Sequence, residues 1–180
     1  MVEDISFEKR SWARALKNAE FICIETFSGY RTSRRDPNGS QHIKSLDDTN
    51  LELGKCIVDA LSYSRLVLPE PRDDVWVHPD TIFDKELYDK SIIKKNYLEW
   101  VTMLMSKFNY KNEKQIYKNM RYCSIEATNE DIIMMPTHHV KLDYWNGDGF
   151  TDADNITIPI DSKPEAIGAA LRLTFSRCTS

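Results

Sequence analysis

The chain has 180 residues, of which 41% are hydrophobic and 29% are charged, and this composition predicts one soluble domain with a substantial core. The formal net charge of -4, from 24 basic and 28 acidic residues, argues against non-specific binding to nucleic acid, which needs a basic face. The sequence contains no apolar run typical of a signal peptide or a membrane span. We therefore expect a cytoplasmic protein.

The N-terminal part of the chain is predicted to hold a short helix, a buried strand and a polar loop. Residues 11–17 are interpreted as the helix, with Ser11 as its N-cap. The segment FICIETF, residues 21–27, begins with apolar side chains on both faces, which is typical of a buried strand. The polar residues 28–42 contain Asp-Pro and Asn-Gly turn signals, and we expect them to form a loop.

Two helices are predicted in the middle of the chain. Thr49 lies three residues before Glu52, which is a capping-box pattern, and apolar residues at helical spacing then predict a helix over residues 49–65. The pattern is also helical over residues 81–109, in one or two pieces, and residues 111–119 are interpreted as a further helical turn. The apolar stripe of the longer segment consists of Leu98, Val101, Leu104, Met105 and Phe108.

The second half of the chain predicts antiparallel strands. Residues 121–128 and 131–136 flank a two-residue turn, and the alternation of apolar and polar side chains in the first of them indicates a hairpin. Residues 138–145 continue in a strand-like pattern. Residues 156–160 form another predicted strand, and Pro159 within it indicates the edge of a sheet.

The C-terminal segment predicts a helix with well-defined start signals. Ser162 is interpreted as the N-cap, Pro164 lies in the first turn, and Glu165 completes a second capping box. The buried stripe is predicted to consist of Ile167, Ala170, Leu171, Thr174, Phe175 and Cys178. Strands in succession with helices on either side predict the α+β class: a single domain over residues 1–180, with a mainly antiparallel sheet flanked by helices.

Four cysteines are spread along the chain without a C-x-x-C pair. Each has apolar neighbours, so we expect Cys23, Cys56, Cys123 and Cys178 to be reduced and buried. Their spacing supports neither a disulfide framework nor a zinc site.

The segment YWNGDGFTDADN, residues 144–155, resembles a calcium loop but fails its ligand pattern. If Gly149 takes the glycine position of an EF-hand loop, Tyr144 and Asn155 occupy the two positions that require a carboxylate. The chain also lacks the phosphate-binding, nucleophile-elbow and zinc-protease motifs. We therefore predict no metal and no cofactor.

Acidic and aromatic residues alternate around the same segment. Residues 143–161 contain five Asp and no Lys or Arg, and acids mixed with aromatics are typical of an interface for a basic partner. On these residues alone, a solvated turn between two strands is the simplest interpretation. The predicted partner-binding residues are Asp143, Tyr144, Trp145, Asp148, Asp152 and Asp154, joined by Asp73, Asp74 and Trp76.

Two other segments are alternative sites. His138 and His139 could act with nearby acids in a small hydrolase or nuclease, although adjacent side chains on a strand point to opposite faces and cannot share one ion. The basic residues 31–35 could hold phosphate, but nearby aspartates favour a solvated, salt-bridged loop. If the acidic segment is not the interface, we expect it on residues 31–35 or on the helical face of residues 81–109.

Three stretches together resemble a known family. FICIETFSGYRT, LGKCIVDALSYSR and IDSKPEAIGAALRLTFSRC are similar to segments of the immunity proteins of bacterial contact-dependent growth inhibition systems. The resemblance covers most of the chain. Its motifs are a strand and two helices, and they carry no catalytic signature.

This resemblance implies a function that composition and spacing do not identify. It implies a cytosolic α+β protein that binds the C-terminal toxin domain of a cognate effector and blocks its active site. Such toxins are often nucleases, ribonucleases in particular, with a basic cleft that an acidic protein could cover in place of RNA. The partner would then be a basic nuclease domain, with no direct nucleic-acid binding and no membrane contact. The alternatives are the small hydrolase and an interaction subunit of an unrelated complex, and the oligomeric state stays open.

Overall fold

The computed structural model describes residues 7–180, and an antiparallel sheet of seven strands lies at its centre. In chain order the helices and strands of the described residues are β1 (Ser11–Lys17), β2 (Ile22–Gly29), β3 (Ser33–Arg35), β4 (Gln41–Lys44), α1 (Asn50–Ser62), β5 (Val67–Leu68), β6 (Ile82–Phe83), α2 (Lys90–Phe108), α3 (Glu113–Tyr117), β7 (Arg121–Ala127), β8 (Asp131–Pro136), β9 (His138–Lys141), β10 (Tyr144–Asn146), β11 (Ile156–Pro159) and α4 (Pro164–Arg177). The main sheet has the order β11-β8-β7-β1-β2-β3, and β4 also pairs with β2. The α+β class and the mainly antiparallel sheet are therefore confirmed.

One face of the sheet is covered by α1 and α4, which pack against each other. The core between these helices and the sheet contains the inward side chains of the hairpin β7–β8, as their alternation predicts. All six residues of the stripe predicted for α4, from Ile167 to Cys178, are buried. The Thr49–Glu52 capping box of α1 is also present, with both hydrogen bonds made. Local patterns thus located this layer correctly.

The start of α4 differs from its prediction. The N-cap is Lys163, whose side chain makes no capping hydrogen bond, while the hydroxyl of Ser162 donates to the Pro159 carbonyl at 2.6 Å. Pro164 occupies the first turn as predicted. The expected capping box with Glu165 was therefore wrong, because the turn that leaves β11 already uses the Ser162 hydroxyl.

Residues 11–17 form the central strand β1, so the predicted helix was wrong. β1 pairs with β2 on one side and with β7 on the other. Ala13 and Ala15 face α1 and α4, whereas Trp12, Arg14 and Leu16 alternate onto the opposite face. Alanine, arginine and leucine favour helix in isolation, but pairing and burial between two strands override that preference.

Residues 28–42 contain two strands rather than only a loop. β3 pairs with residues 27–29 of β2, and β4 pairs with residues 22–25 of the same strand. The Asp-Pro and Asn-Gly signals do form the turn between them, where Asp36 accepts a hydrogen bond from the Asn38 backbone at 3.0 Å. Short polar strands are stabilised by the edge of β2, which local sequence does not reveal.

The second face of the sheet is covered in part by α2 and α3. Its core cluster joins Leu16, Phe21 and Cys23 of the sheet side to buried residues of the helical layer. α2 begins only at Lys90, where the Asp89 side chain accepts from two backbone amides, so the segment from 81 to 89 is not part of this helix. The buried residues of α2 are Trp100, Val101 and Leu104, whereas Leu98, expected in the stripe, is half exposed.

Two smaller predictions agree with the structure. All four cysteines are free and buried, and burial raises the pKa of the Cys23 and Cys123 thiols well above the ordinary value, which makes them unreactive. β11 pairs only with β8 and forms one edge of the sheet, as Pro159 indicated. No helix among residues 7–180 has the length and apolarity needed to cross a bilayer.

We expect Leu171→Ala to lower the free energy of unfolding by about 2–5 kcal/mol, because the Leu171 side chain is completely buried between α4 and the sheet. Urea denaturation measures this change. Leu173→Ala on the same helix is the matched control, since Leu173 is half exposed and should cost much less. A loss below about half a kcal/mol at Leu171 would contradict the packing of α4.

Candidate protein-binding surfaces

Most of the predicted partner-binding residues lie on or after the hairpin β9–β10. This two-stranded sheet stands beside the first residues of β7, at one end of the main sheet. Asp143 lies in the hairpin turn, and Tyr144 begins β10 with half of its surface exposed. We call the following residues the hairpin surface, of which the first four are exposed and the last is half-buried: Asp143, Tyr144, Asp148, Asp152 and Asp154.

Trp145 is packed more firmly than the other predicted aromatic of this hairpin. Its indole N–H donates to the Met120 carbonyl at 3.1 Å. Its ring stacks on Tyr122, with centroids 5.5 Å apart, and on His139, with centroids 4.8 Å apart. Trp145 therefore fastens the hairpin to the main sheet, and Tyr144 is the more exposed aromatic side chain of the two.

The carboxylates of the hairpin surface are held in place but carry unneutralised charge. Asp148 accepts from the Asn146 side-chain amide at 2.8 Å, and Asp154 accepts from the Thr151 backbone N–H at 2.7 Å. Asp152 begins a single 3-10 turn that ends at Asp154. Within the described part of the chain, no Lys or Arg side chain forms an ion pair with these carboxylates. The surface therefore presents net negative charge to solvent.

The other three predicted residues lie elsewhere. Asp74 forms an ion pair with Arg72 at 2.6 Å, and Asp73 is exposed beside it. Trp76 packs against Phe7, with ring centroids 5.8 Å apart, and Phe7 lines a recess together with the last residues of β7. The hairpin surface lies at the first residues of β7. The nine residues thus form two surfaces at opposite ends of one strand.

The two adjacent histidines do not come together as a pair. His138 stacks on Phe150, with centroids 4.2 Å apart, and His139 stacks on Trp145. His139 Nε2 lies 2.7 Å from the Leu142 carbonyl oxygen, so each ring is engaged with a different set of neighbours. Across residues 7–180, no three His, Cys, Asp or Glu side chains are grouped so that they could hold a metal ion.

A cavity of about 380 Å³ lies between the second face of the sheet and α2. Its charged lining consists of three arginines and Glu86, and its apolar lining is largely aromatic. The side chains that contribute most to its character are Arg14, Arg34, Arg35, Phe27, Tyr97 and Trp100. The guanidinium of Arg34 also lies over the Tyr88 ring, 4.2 Å from its centre.

A buried carboxylate, that of Glu25, holds two of the arginines that line this cavity. Glu25 is 1% exposed and accepts from Arg14 at 2.7 Å and from Arg35 at 2.9 Å, while the Gln41 amide donates to it at 2.5 Å. Burial by itself raises the pKa of this carboxyl, but the two guanidinium groups outweigh it and hold the pKa of Glu25 below its ordinary value. Glu25 therefore stays ionised and fixes both arginines at the cavity wall.

Sequence reasoning identified both segments that line this cavity without predicting that they meet. Arg34 and Arg35 belong to the basic residues 31–35, and the aromatic wall belongs to the helical face within residues 81–109. Those two segments were the alternatives to the acidic surface. The signal that sequence could not supply is the pairing of β3 with β2, which places the arginines opposite α2.

The described residues form a small α+β domain that exposes charged and aromatic side chains on separate parts of its surface. The model of the CDI immunity protein family matches residues 11–178, and the chain belongs to this family. Over 170 residues it is 45% identical to the immunity protein CdiI-YPIII of Yersinia pseudotuberculosis serotype O:3 (strain YPIII), a match that covers 94% of this chain and 96% of the relative. The resemblance inferred from three stretches of sequence is thereby confirmed.

Two solved structures have the same fold. One is a chain of the CdiA-CT/CdiI toxin and immunity complex from Yersinia pseudotuberculosis, with a TM-score of 0.92, 45% identity, and coverage of 95% of this chain and 98% of that one. The other is a protein of unknown function from Neisseria meningitidis, with a TM-score of 0.80, 32% identity and 99% coverage of both chains.

Proposed function

We propose that this protein binds and neutralises the C-terminal toxin domain of the contact-dependent growth inhibition effector with which it is paired. The observation that carries the proposal is its likeness, over 95% of its length, to a chain of a solved toxin and immunity complex. In this proposal the protein acts in the cytoplasm by occupying the toxin, and it is not an enzyme. It requires no cofactor and no metal for that role.

The toxin is further proposed to be a nuclease with a basic substrate cleft, a ribonuclease in the first instance. A nuclease presents Lys and Arg to neutralise phosphates, and clustered carboxylates offer the same groups another partner. The unneutralised acids of the hairpin surface supply such carboxylates. By covering the cleft, the protein would compete with the nucleic acid.

The function is tested with the toxin domain encoded next to this protein. The two chains are produced together, and co-purification and protection of growing cells are measured. Cleavage of RNA and of DNA is assayed separately, with and without the immunity protein. If neither binding nor protection occurs, the proposal is wrong. If only DNA is cut, the ribonuclease part alone is wrong.

Combined Asp148→Asn, Asp152→Asn and Asp154→Asn should weaken toxin binding by at least about tenfold, or 1.4 kcal/mol, with little change in melting temperature. The reason is that these acids attract a basic cleft, so association should also slow in ~0.5 M salt, where the Debye length is about 4–5 Å. Calorimetry and stopped-flow association measure the two effects.

A matched control removes the same charge elsewhere. Asp47, Glu130 and Glu165 are exposed, and their conversion to Asn, Gln and Gln should leave binding within about twofold of the parent. If the hairpin variant binds and protects like the parent, the acidic segment is only a solvated turn.

The arginine-lined cavity is a second candidate contact, favoured by its concave shape and by the two arginines that Glu25 holds in place. A partner segment with an acidic and an apolar side chain would complement it, because both kinds of lining are present. Ile93 is partly exposed at its wall. Ile93→Trp would therefore add bulk there, and a loss of binding with unchanged stability would assign this contact to the toxin.

A further inference from the structure

A basic groove lies beside the hairpin surface, between α3 and the strand β9. Its volume is about 580 Å³, and its charged lining comes from Lys114, Lys118 and Lys141. All three side chains are exposed, and none forms an ion pair or a side-chain hydrogen bond among residues 7–180. The three ammonium groups are therefore free of ion pairs with the described residues, and Ser180 lies beside them in the lining.

The groove is formed by the end of a basic segment of the sequence and the beginning of an acidic one. Residues 90–118 contain seven Lys against two Glu, whereas residues 122–170 contain two Lys against nine acidic residues. One of those two is Lys141, which pairs across the hairpin with Tyr144. The hairpin and the residues after it thus carry carboxylates close to the lysine groove.

Both walls of the groove are held in fixed positions. Ile116 and Tyr117 of α3 are buried, which anchors the helix that carries Lys114 and is followed directly by Lys118. The indole of Trp145 donates to the Met120 carbonyl, which ties the turn after α3 to the hairpin. The lysines therefore extend from rigid elements, so the separation of their attachment points is set before any partner binds.

We propose that this groove binds a carboxylate-bearing segment of the toxin domain, next to the basic cleft that the hairpin surface is proposed to cover. The inference rests on the proposed function and adds a second, opposite charge requirement to the same partner. Neighbouring surfaces of opposite sign fix the register of a complex and repel a partner whose charges are differently arranged. A toxin from another system that has a basic cleft but no adjacent acidic segment would therefore bind this protein more weakly.

A phosphate backbone fits the groove less well than a carboxylate segment does. Asp143 lies in the hairpin turn directly after Leu142, a lining residue of the groove. A long polyanion that entered the groove would therefore be repelled by the hairpin surface. A short acidic segment avoids that repulsion, because it ends where the toxin surface becomes basic.

The test compares two charge reversals that change the net charge equally. Lys114→Glu with Lys118→Glu alters the groove, whereas Lys55→Glu with Lys163→Glu alters exposed lysines on the α1 and α4 side of the sheet. Binding to a catalytically inactive form of the cognate toxin domain is measured by calorimetry. We expect the groove variant to bind at least tenfold more weakly than the parent, and the control variant to bind within twofold of it. The conservative variant Lys114→Arg with Lys118→Arg should bind like the parent.

The outcomes separate this inference from the function on which it rests. If the parent protein does not bind the toxin at all, the proposed function is wrong. If the parent binds, and both the groove variant and a Lys141→Glu variant bind equally well, only the groove assignment is wrong. Binding of a 20-nucleotide RNA or a DNA duplex by the isolated protein, lost in the groove variant, would overturn the assignment in favour of a nucleic-acid site.

Discussion

Gly168→Ala is expected to lower the free energy of unfolding by about 3 kcal/mol, the upper part of the range for overpacked sites. This direction is opposite to the effect of the same change in an exposed helix, where alanine stabilises by roughly 1 kcal/mol. A Cβ atom at Gly168 would lie 1.9 Å from the backbone oxygen of Asn50 in α1. No rotamer can relieve that contact, because the atom it meets belongs to the main chain.

A glycine of each helix faces the backbone of the other, so α1 and α4 have little room to move apart or slide. A Cβ at Gly54 would lie 1.8 Å from the carbonyl oxygen of Pro164. Arg172 of α4 also donates to Asn50 Oδ1 at 2.9 Å and to the Asp48 carbonyl, which fastens α4 to the start of α1. Separating the helices to admit a methyl group would break these bonds and open the core beneath them.

Urea denaturation of the parent and the variant measures the change. Gly147→Ala is the control, because nothing lies within 4 Å of a Cβ at Gly147, and we expect a change within about half a kcal/mol. Equal or greater stability of the Gly168 variant would show that α1 and α4 do not cross at this distance.

Glu25→Gln is expected to destabilise the protein by about 3 kcal/mol, the lower end of the range for removing one partner of a buried ion pair. The amide keeps the shape of the side chain but leaves Arg14 without the charge that compensates it. Arg35 is the more exposed of the two arginines, with about a quarter of its side chain accessible, so it can regain water and limit the loss.

The control for this change is Glu126→Gln on β7, which β1 separates from β2 in the sheet. Glu126 forms an ion pair with Arg10 in which both side chains are partly exposed, so its loss should cost less than about 1 kcal/mol. Adding Arg14→Met to Glu25→Gln should restore part of the stability, since it removes the uncompensated charge. A Glu25 variant as stable as the parent would mean that the network does not support the sheet.

The pH dependence provides a second readout for Glu25. Its pKa is lower in the folded protein than its ordinary value, so the folded state is stabilised by this group above the unfolded pKa. That contribution is lost as the pH falls through the folded pKa. The Glu25→Gln variant should therefore lose less stability than the parent on acidification, although it is less stable at neutral pH.

Several elements could be predicted because their signals are contained within a few consecutive residues. The capping box at Thr49, the alternation in residues 121–128 and the stripe on α4 depend on contacts one turn or one cross-strand pair away. Their periods of 3.6 and 2 residues are set by backbone geometry. The family resemblance was carried by the segments of β2, α1 and α4, and it was confirmed over residues 11–178.

The remaining features depend on contacts between residues far apart in the chain. β1 is a strand because β2 and β7 flank it, although its own residues favour helix. Glycine is an unfavourable residue inside a helix, and the need for it at position 168 is clear only from the backbone of Asn50, which leaves no room for a Cβ atom. The partner-binding residues predicted as one acidic and aromatic set lie at opposite ends of β7, because side-chain composition carries no information about distance in space.

The sequence by itself therefore determined the α+β class, the buried faces of α4 and of the hairpin β7–β8, the reduced cysteines and the family. Only the tertiary structure decided which charged groups become neighbours. Arg14 and Arg35 come together because both meet Glu25, and Lys114 and Lys141 share a groove because Trp145 ties the hairpin to the turn after α3. These are long-range contacts stabilised by burial of the cores beneath them, and no local pattern encodes them.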